Sequence, residues 1–208
     1  MHKIKFMASL DSFPRPSVAV DTAVLTITKD GRLGVLLLPG ATGFAPRLPG
    51  TFLHEGEVLA DAVLRSLREK AGVQGLAPRQ LHVFDALDRD DRGWVLSVAH
   101  VDVVRAASLP GDACVAPIDD LPALAFDHDR IVDFAVSVLR TEYRGLPDPS
   151  GLIAEPFTLS RLRGVHEAVV GESLLPDTFR RTMLPHLEAT GELERSGRGR
   201  PAELYRRA

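Results

Sequence analysis

Residues 49–73 read PGTFLHEGEVLADAVLRSLREKAGV, and the fold turns on how this stretch is read. It opens on a proline-glycine loop, after which residues 58–71 place Leu59, Ala62, Val63 and Leu67 along one face at helical spacing. Gly72 then follows as a left-handed C-cap. The stretch is therefore a loop followed by a one-sided helix that docks on a core. Ser66, Glu69 and Lys70 sit at i, i+3 and i+4 and share a second helical face. A hard divalent cation wants several oxygen ligands, carboxylates above all, and a charged lysine repels it. That face offers a hydroxyl, one carboxylate and an ammonium, so we assign no metal ligands and no catalytic residues.

Working outward, residues 18–28 (VAVDTAVLTIT) are rich in β-branched side chains, Lys29-Asp30-Gly31 supplies a turn, and residues 33–38 a second strand. A loop rich in proline and glycine spans residues 39–50. Strand-like runs recur at 81–87 and 94–104, separated by a turn at 88–93. Residues 126–143 read as a helix with Ile131, Phe134, Val136, Val138 and Leu139 as its apolar positions. Strands mixed with two helices predict an α/β sandwich. Residues 144–156 (RGLPDPSGLIAEP) then hold three prolines and two glycines, which reads as a connection between domains. The boundary is placed at Pro149, dividing the chain into residues 1–149 and 150–208.

Composition agrees with a globular chain. Its 208 residues carry 25 basic and 28 acidic side chains, a net charge of -3, with 45% hydrophobic residues. No run approaches the roughly 20 apolar residues of a membrane span, and no secretory signal follows the basic start, so a cytoplasmic protein without membrane partners is expected. The single cysteine, Cys114, excludes an intrachain disulfide and a multi-cysteine zinc site. Charge is unevenly spread. Residues 1–150 sum to −4, and residues 151–208 to +1. Residues 195–207 hold five arginines against one acid, Glu203, a footprint suited to nucleic acid or else a solvated tail.

The second domain has its own pattern. Residues 157–170 begin with Thr158 as an N-cap candidate and carry Leu159, Leu162, Val165 and Val169 at helical spacing. In residues 176–184, Phe179, Met183 and Leu184 would bury one face together with Leu187, leaving Thr178, Arg180 and Arg181 pointing out. Pro185 should end that helix. Strands are expected at 191–195 and 202–206, around a loop bearing Arg198 and Arg200. Helix, turn, helix and hairpin is the order of a winged helix, whose second helix enters the major groove of double-stranded DNA while the loop meets phosphates or the minor groove. Thr178, Arg180, Arg181, Arg198 and Arg200 are thus the DNA-binding candidates. A helical hairpin used for dimerisation is the competing reading.

Residues 49–73 also resemble the Nudix box, G-x5-E-x7-R-E-U-x-E-E-x-G-U with U bulky and aliphatic. Aligned on Glu57, Arg65 falls on the arginine, Leu67 on U, Glu69 on the first paired glutamate and Gly72-Val73 on the closing pair. Thr51 stands at the initial glycine, Ser66 and Lys70 at two glutamates. The resemblance implies a domain that binds nucleoside diphosphates linked to another moiety, and the substitutions imply binding without cleavage. Arg47, Glu57, Arg65, Glu69 and Lys70 are the effector-binding candidates, with Arg65 and Lys70 expected to hold a diphosphate in place of a metal. Mutual pairing of Arg65, Glu69 and Lys70 on the helix surface is the plainer alternative.

Further along, residues 124–128 (LAFDH), the opening Phe157-Thr158-Leu159, the triplet Phe179-Arg180-Arg181 and residues 199–206 (GRPAELYR) complete a wider likeness. The chain resembles the Nudix-related transcriptional regulators of NAD metabolism, the NrtR family. The resemblance implies an α+β chain: an N-terminal Nudix-like α/β/α sandwich followed by a C-terminal winged helix-turn-helix domain. It further implies a homodimeric repressor of NAD biosynthesis or salvage genes that binds operator DNA, requires no cofactor, and leaves when ADP-ribose or a related NAD derivative binds. Thr178 and Thr182 stand where the family commonly has asparagine and lysine, which implies a different operator preference. An ADP-ribose pyrophosphatase with an accessory C-terminal domain is the alternative. Among the remaining residues, His128 is read as a loop anchor, with Asp127 starting the helix, and His166 and His186 as surface residues. Tyr205 is read as packing in the wing. Trp94 is left open between base stacking and a core or interface role.

Overall fold

The computed structural model describes residues 12–40, 43–194 and 201–208. Its organising element is β1, Ser17–Ile27, whose side chains are buried on both sides of the pleat. Val20 and Val24 point one way, Ala23 and Leu25 the other. β1 runs parallel to β5 (Val95–Val103) and antiparallel to β2 (Leu33–Leu36) and β3 (Gly50–Phe52). With β4 (Arg79–Phe84) and β6 (Val115–Pro117) the sheet runs β4-β5-β1-β2-β6. Helix α1 (Leu59–Ala71) packs Ala62, Val63 and Leu67 on Val20, Val24 and Leu36. Helix α2 (His128–Glu142) packs Ile131, Val132, Ala135 and Leu139 on the opposite face, against Ala23, Leu25, Val35 and Val101. Each fully buried aliphatic side chain contributes about 1.5–3 kcal/mol. Hence the α/β/α sandwich.

Two expected core positions of α2 are not in the core: Val138 is only partly buried, and Phe134 is exposed. The Phe134 side is 37% exposed, its ring stacked 4.9 Å from that of His82 on β4. Val132 and Ala135 complete the buried stripe instead, because the helix begins at His128 and the 131/132/135/136/139 set is the one that faces the sheet.

The second domain follows with β7 (Phe157–Thr158), α3 (Leu159–Val170), α4 (Pro176–Met183), β8 (Leu187–Glu194) and β9 (Ala202–Arg207), its sheet ordered β7-β9-β8. Phe157 and Thr158, just ahead of the helix, form a short strand against Tyr205 and Leu204. Thr158 still caps α3, accepting from the Arg161 amide at 3.3 Å. Ile153, Phe157, Leu162, Phe179, Met183 and Tyr205 form the core. Pro185 lies in a single 3-10 turn that ends α4, as a residue without an amide proton requires. No helix among the described residues is long and apolar enough to cross a membrane.

Between the domains stands Asp148, fully buried. Its carboxylate accepts from the Tyr143 hydroxyl at 2.5 Å and from the amides of Leu152 and Ile153 at 2.9 Å, and pairs with the Arg207 guanidinium of β9. Its own amide donates to His166 Nε2 at 3.2 Å. His166 is therefore not at the surface. It is 1% exposed, its ring 5.0 Å from those of Tyr143 and Phe179. Spacing carried the signal, since 162, 166 and 169 form one helical stripe.

Burial pushes the His166 imidazole down to about 4, so it is neutral at pH 7. A histidine whose folded value lies below its unfolded one binds protons preferentially in the unfolded chain. Stability from this group is therefore complete above about pH 6.5 and declines as pH falls toward 4, by up to about 3 kcal/mol. Urea unfolding at pH 7 and pH 4.5 should show a smaller acid loss in His166→Gln than in the wild type; equal losses would contradict the assignment.

Candidate functional site

A cavity of ≈330 Å³ opens where β1, β3, the 88–93 turn and the start of α2 converge. Its floor is built on Asp21, a charged residue in the middle of an apolar strand. Ser97 Oγ donates to Asp21 at 2.6 Å, and His128 Nε2 and Arg89 lie 3.3 Å and 3.6 Å away. Arg89 also grips Asp127 through two hydrogen bonds of 2.7 and 3.2 Å. His128 Nδ1 accepts from the Leu48 amide at 2.9 Å, which leaves the ring proton on Nε2, facing Asp21. Burial pushes the Asp21 carboxyl up, but hydrogen bonds from His128 and Ser97 and the nearby Arg89 charge outweigh it and hold the group below its usual value. Gly50 closes over this network. A Cβ there would lie 1.9 Å from Asp21 Oδ1, so only glycine fits.

The walls are cationic and aromatic. Lys70 reaches in from α1 and donates to the Gly50 carbonyl at 2.5 Å; burial, and the like charges of Arg47 and Arg65, push its ammonium down. Arg47 lines the same space. Arg92 is held by Asp90 at 2.7 Å and lies 5.2 Å and 5.1 Å from the ring centroids of Phe52 and Phe126. Phe126 has φ +60, a left-handed conformation rare for a bulky side chain, and its ring lines the cavity. Cations of this kind suit a diphosphate, and flat apolar rings suit a base.

The structure thus brings Arg47 and Lys70 together and leaves Glu57, Arg65 and Glu69 outside the cavity lining. Arg65 binds both oxygens of Glu57 at 2.8 Å, Thr51 Oγ1 at 3.2 Å and the Phe52 carbonyl at 3.0 Å. This staples the loop to α1, and Arg65 holds the Glu57 carboxyl down to about 2. Glu69 is exposed and pairs with Arg68 at 3.1 Å. Ser66 is 1% exposed, its hydroxyl without a partner. The divalent ion that an intact box would bind does not fit this set: one glutamate is engaged by arginine, one faces away, and an ammonium stands in the cavity. Among the described residues no group of three histidine, cysteine or acidic side chains could hold a metal. Sequence reasoning missed Asp21, Arg89 and Arg92, although an aspartate inside VAVDTAVL was a visible signal.

At the other end of the chain, Phe179 and Met183 are buried while Thr178, Arg180, Arg181 and Thr182 are exposed on α4. Arg198 and Arg200 lie outside the described residues. The wing strands carry Glu188, Glu192, Glu194 and Glu203, with Arg161 3.7 Å from Glu194. Tyr205 is buried in the wing sheet, and Trp94 is 46% exposed.

A box-bearing sandwich joined through a buried carboxylate to a winged helix is a Nudix-type domain fused to a DNA-binding module. The family model for the NrtR DNA-binding winged helix domain matches residues 149–207. The chain is 28% identical to the ADPR-responsive transcriptional repressor NtrR of Acinetobacter baylyi, over 93% of this chain and 83% of that one. It superposes on Shewanella oneidensis NrtR, solved with a 27mer DNA, with a TM-score of 0.74 at 31% identity, covering 92% and 93% of the two chains. The Nudix domain of that same protein, solved with ADP ribose, gives 0.53 at 28% identity over 67% of this chain and 99% of that one. An ADP-ribose pyrophosphatase of Methanocaldococcus jannaschii is 36% identical over 56% of this chain and 71% of its own. The chain belongs to the NrtR family of Nudix-related transcriptional regulators.

Removing Asp21 strips the partner from a buried imidazole N–H and from the buried Ser97 hydroxyl, and leaves Arg89 with Asp127 alone. Asp21→Ala should lower unfolding stability by about 3 kcal/mol, read from urea midpoints; a loss below about 1 kcal/mol would show that the network does not support the cavity floor.

Proposed function

We infer that this chain is a transcriptional repressor of NAD biosynthesis or salvage genes, binding operator DNA through α4 and released when ADP-ribose or a related NAD-derived nucleotide enters the cavity beside Lys70. The observation that carries the reading is the Lys70 ammonium, on the lining of the cavity at a box position where a glutamate would otherwise stand. Lys70 and Arg47 would face the diphosphate, while Phe52 and Phe126 offer apolar surface to a ring. The floor of Asp21, Arg89, Asp127 and His128 is internally paired, so it shapes the cavity and leaves no free carboxylate to activate water. Supporting the DNA half are the exposed Thr178, Arg180 and Arg181 on a helix whose other face is buried.

In this reading the protein acts as a homodimer, since two recognition helices about 34–36 Å apart match successive turns of DNA. Nucleotide and operator then favour different arrangements, and each weakens the other. The pyrophosphatase reading is favoured by the archaeal relative and opposed by the disposition of Glu57, Ser66, Glu69 and Lys70.

Calorimetry of ADP-ribose with and without chelator, together with an assay for AMP, separates the two. Affinity should be unchanged by chelator, Lys70→Ala should weaken it about tenfold, as loss of a charged hydrogen bond does, and no AMP should form. Magnesium-dependent binding with turnover would establish the hydrolase instead. Arg181→Ala should weaken operator binding about tenfold and leave ADP-ribose affinity intact; an unchanged mobility shift would remove Arg181 from the recognition face.

A further inference from the structure

The two flanks of α4 meet different parts of the chain. On the Arg180 flank it shares a crevice with Leu159, Ser160 and Arg163 of α3, and Arg180 lies close to Tyr205 of the wing sheet. On the Thr178 and Thr182 flank it opens on a larger cavity of ≈580 Å³. The far wall of that cavity belongs to the other domain: Arg140 and Tyr143 at the end of α2, and Arg144 just after it. Arg140 is committed, its Nε donating to the Val169 carbonyl at 3.1 Å at the C-terminal end of α3. Arg144 is not. Its side chain is exposed and makes no hydrogen bond or ion pair among the described residues, in a domain whose net charge is otherwise negative.

We propose that Arg144 contacts an operator phosphate, so that the nucleotide-binding domain itself forms one edge of the DNA interface. The major groove is about 12 Å wide and is bounded by a phosphate row on each side. A helix lying in it therefore presents each flank to one row. The wing sheet stands beside the Arg180 flank, and the row on the other flank meets the end of α2, where Arg144 is the cation without a partner. Glu172, exposed in the turn before α4, lines the same cavity and opposes that contact. Arg144 lies four residues before the Asp148 junction. Any shift of α2 against α3 would move a phosphate contact directly, without first rearranging α4.

The inference rests on the operator-binding reading above. It is tested on the full chain by fluorescence anisotropy, titrating a labelled duplex from upstream of the gene's neighbours between 50 and 300 mM NaCl. Arg144→Ala is expected to raise Kd by roughly five- to tenfold and to flatten the slope of log K against log salt by about 0.9, the value for one lost phosphate contact. Arg144→Lys should keep the slope, Glu172→Gln should tighten binding, and Arg32→Ala, on the β1–β2 turn, should change nothing. ADP-ribose affinity and melting temperature should be unaltered in Arg144→Ala. Steep, salt-dependent wild-type binding with an unchanged slope in Arg144→Ala would overturn this contact alone. A wild-type protein that binds no duplex would overturn the repressor reading and the contact together.

Discussion

A buried carboxylate must be matched by donors or it destabilises the fold by several kcal/mol, and the junction of this protein is built to match one. Asp148 collects the Tyr143 hydroxyl from the end of α2, two amides of the following loop and a guanidinium from β9, and its own amide reaches α3. To do so it adopts φ +48, a conformation aspartate tolerates better than most residues. Four separate segments are thereby tied to one residue, three of them through its side chain. Arg207 adds a second grip by pairing with Glu155 at 2.6 Å. The linker that composition marked as a break is in the folded chain a densely hydrogen-bonded corner that holds the end of α2, α3 and β9 together.

The same economy appears in the nucleotide cavity. Charges that face inward are paired among themselves, Asp21 with His128 and Arg89, and Arg89 with Asp127. The cations left around the opening are Arg47 and Lys70, which suit a ligand with phosphate charge. An intact box would use carboxylates to recruit a metal and let the metal meet the phosphates. In the proposed reading the helix would meet them with its own ammonium. On the reading proposed above, the scaffold is retained without its full set of box carboxylates, and that would be the physical difference between sensing a dinucleotide fragment and cutting it.

How much of this could be read in the sequence depends on range. Helix α1 was legible because Leu59, Ala62, Val63 and Leu67 mark its face locally, and α3 because Thr158 marks its start and Leu162 and Val169 its buried face. The two domains followed from the proline-rich break and the change of pattern beyond it. What escaped was non-local. Asp21 finds Ser97 across 76 residues, Arg89 finds Asp127 across 38, and Asp148 finds Arg207 across 59. No spacing rule reports such pairs. Glu57 and Arg65 were singled out as ligand-binding residues, yet their hydrogen bonds go to each other and to the loop, since a bidentate partner eight residues away is an alternative to a ligand that composition does not reveal. Phe134 and His166 were misjudged for the opposite reason: each was judged by residue type, when the neighbouring stripe positions decided its burial.

If nucleotide and operator favour different arrangements of the cavity and the recognition helix, the two ligands must oppose each other by equal amounts, whichever is added first. The most direct measurement is a pair of titrations: ADP-ribose into the free protein and into the operator-bound protein. The account predicts weaker nucleotide binding to the complex, by the same factor by which ADP-ribose weakens operator binding. Equal nucleotide affinity in the two titrations would contradict it.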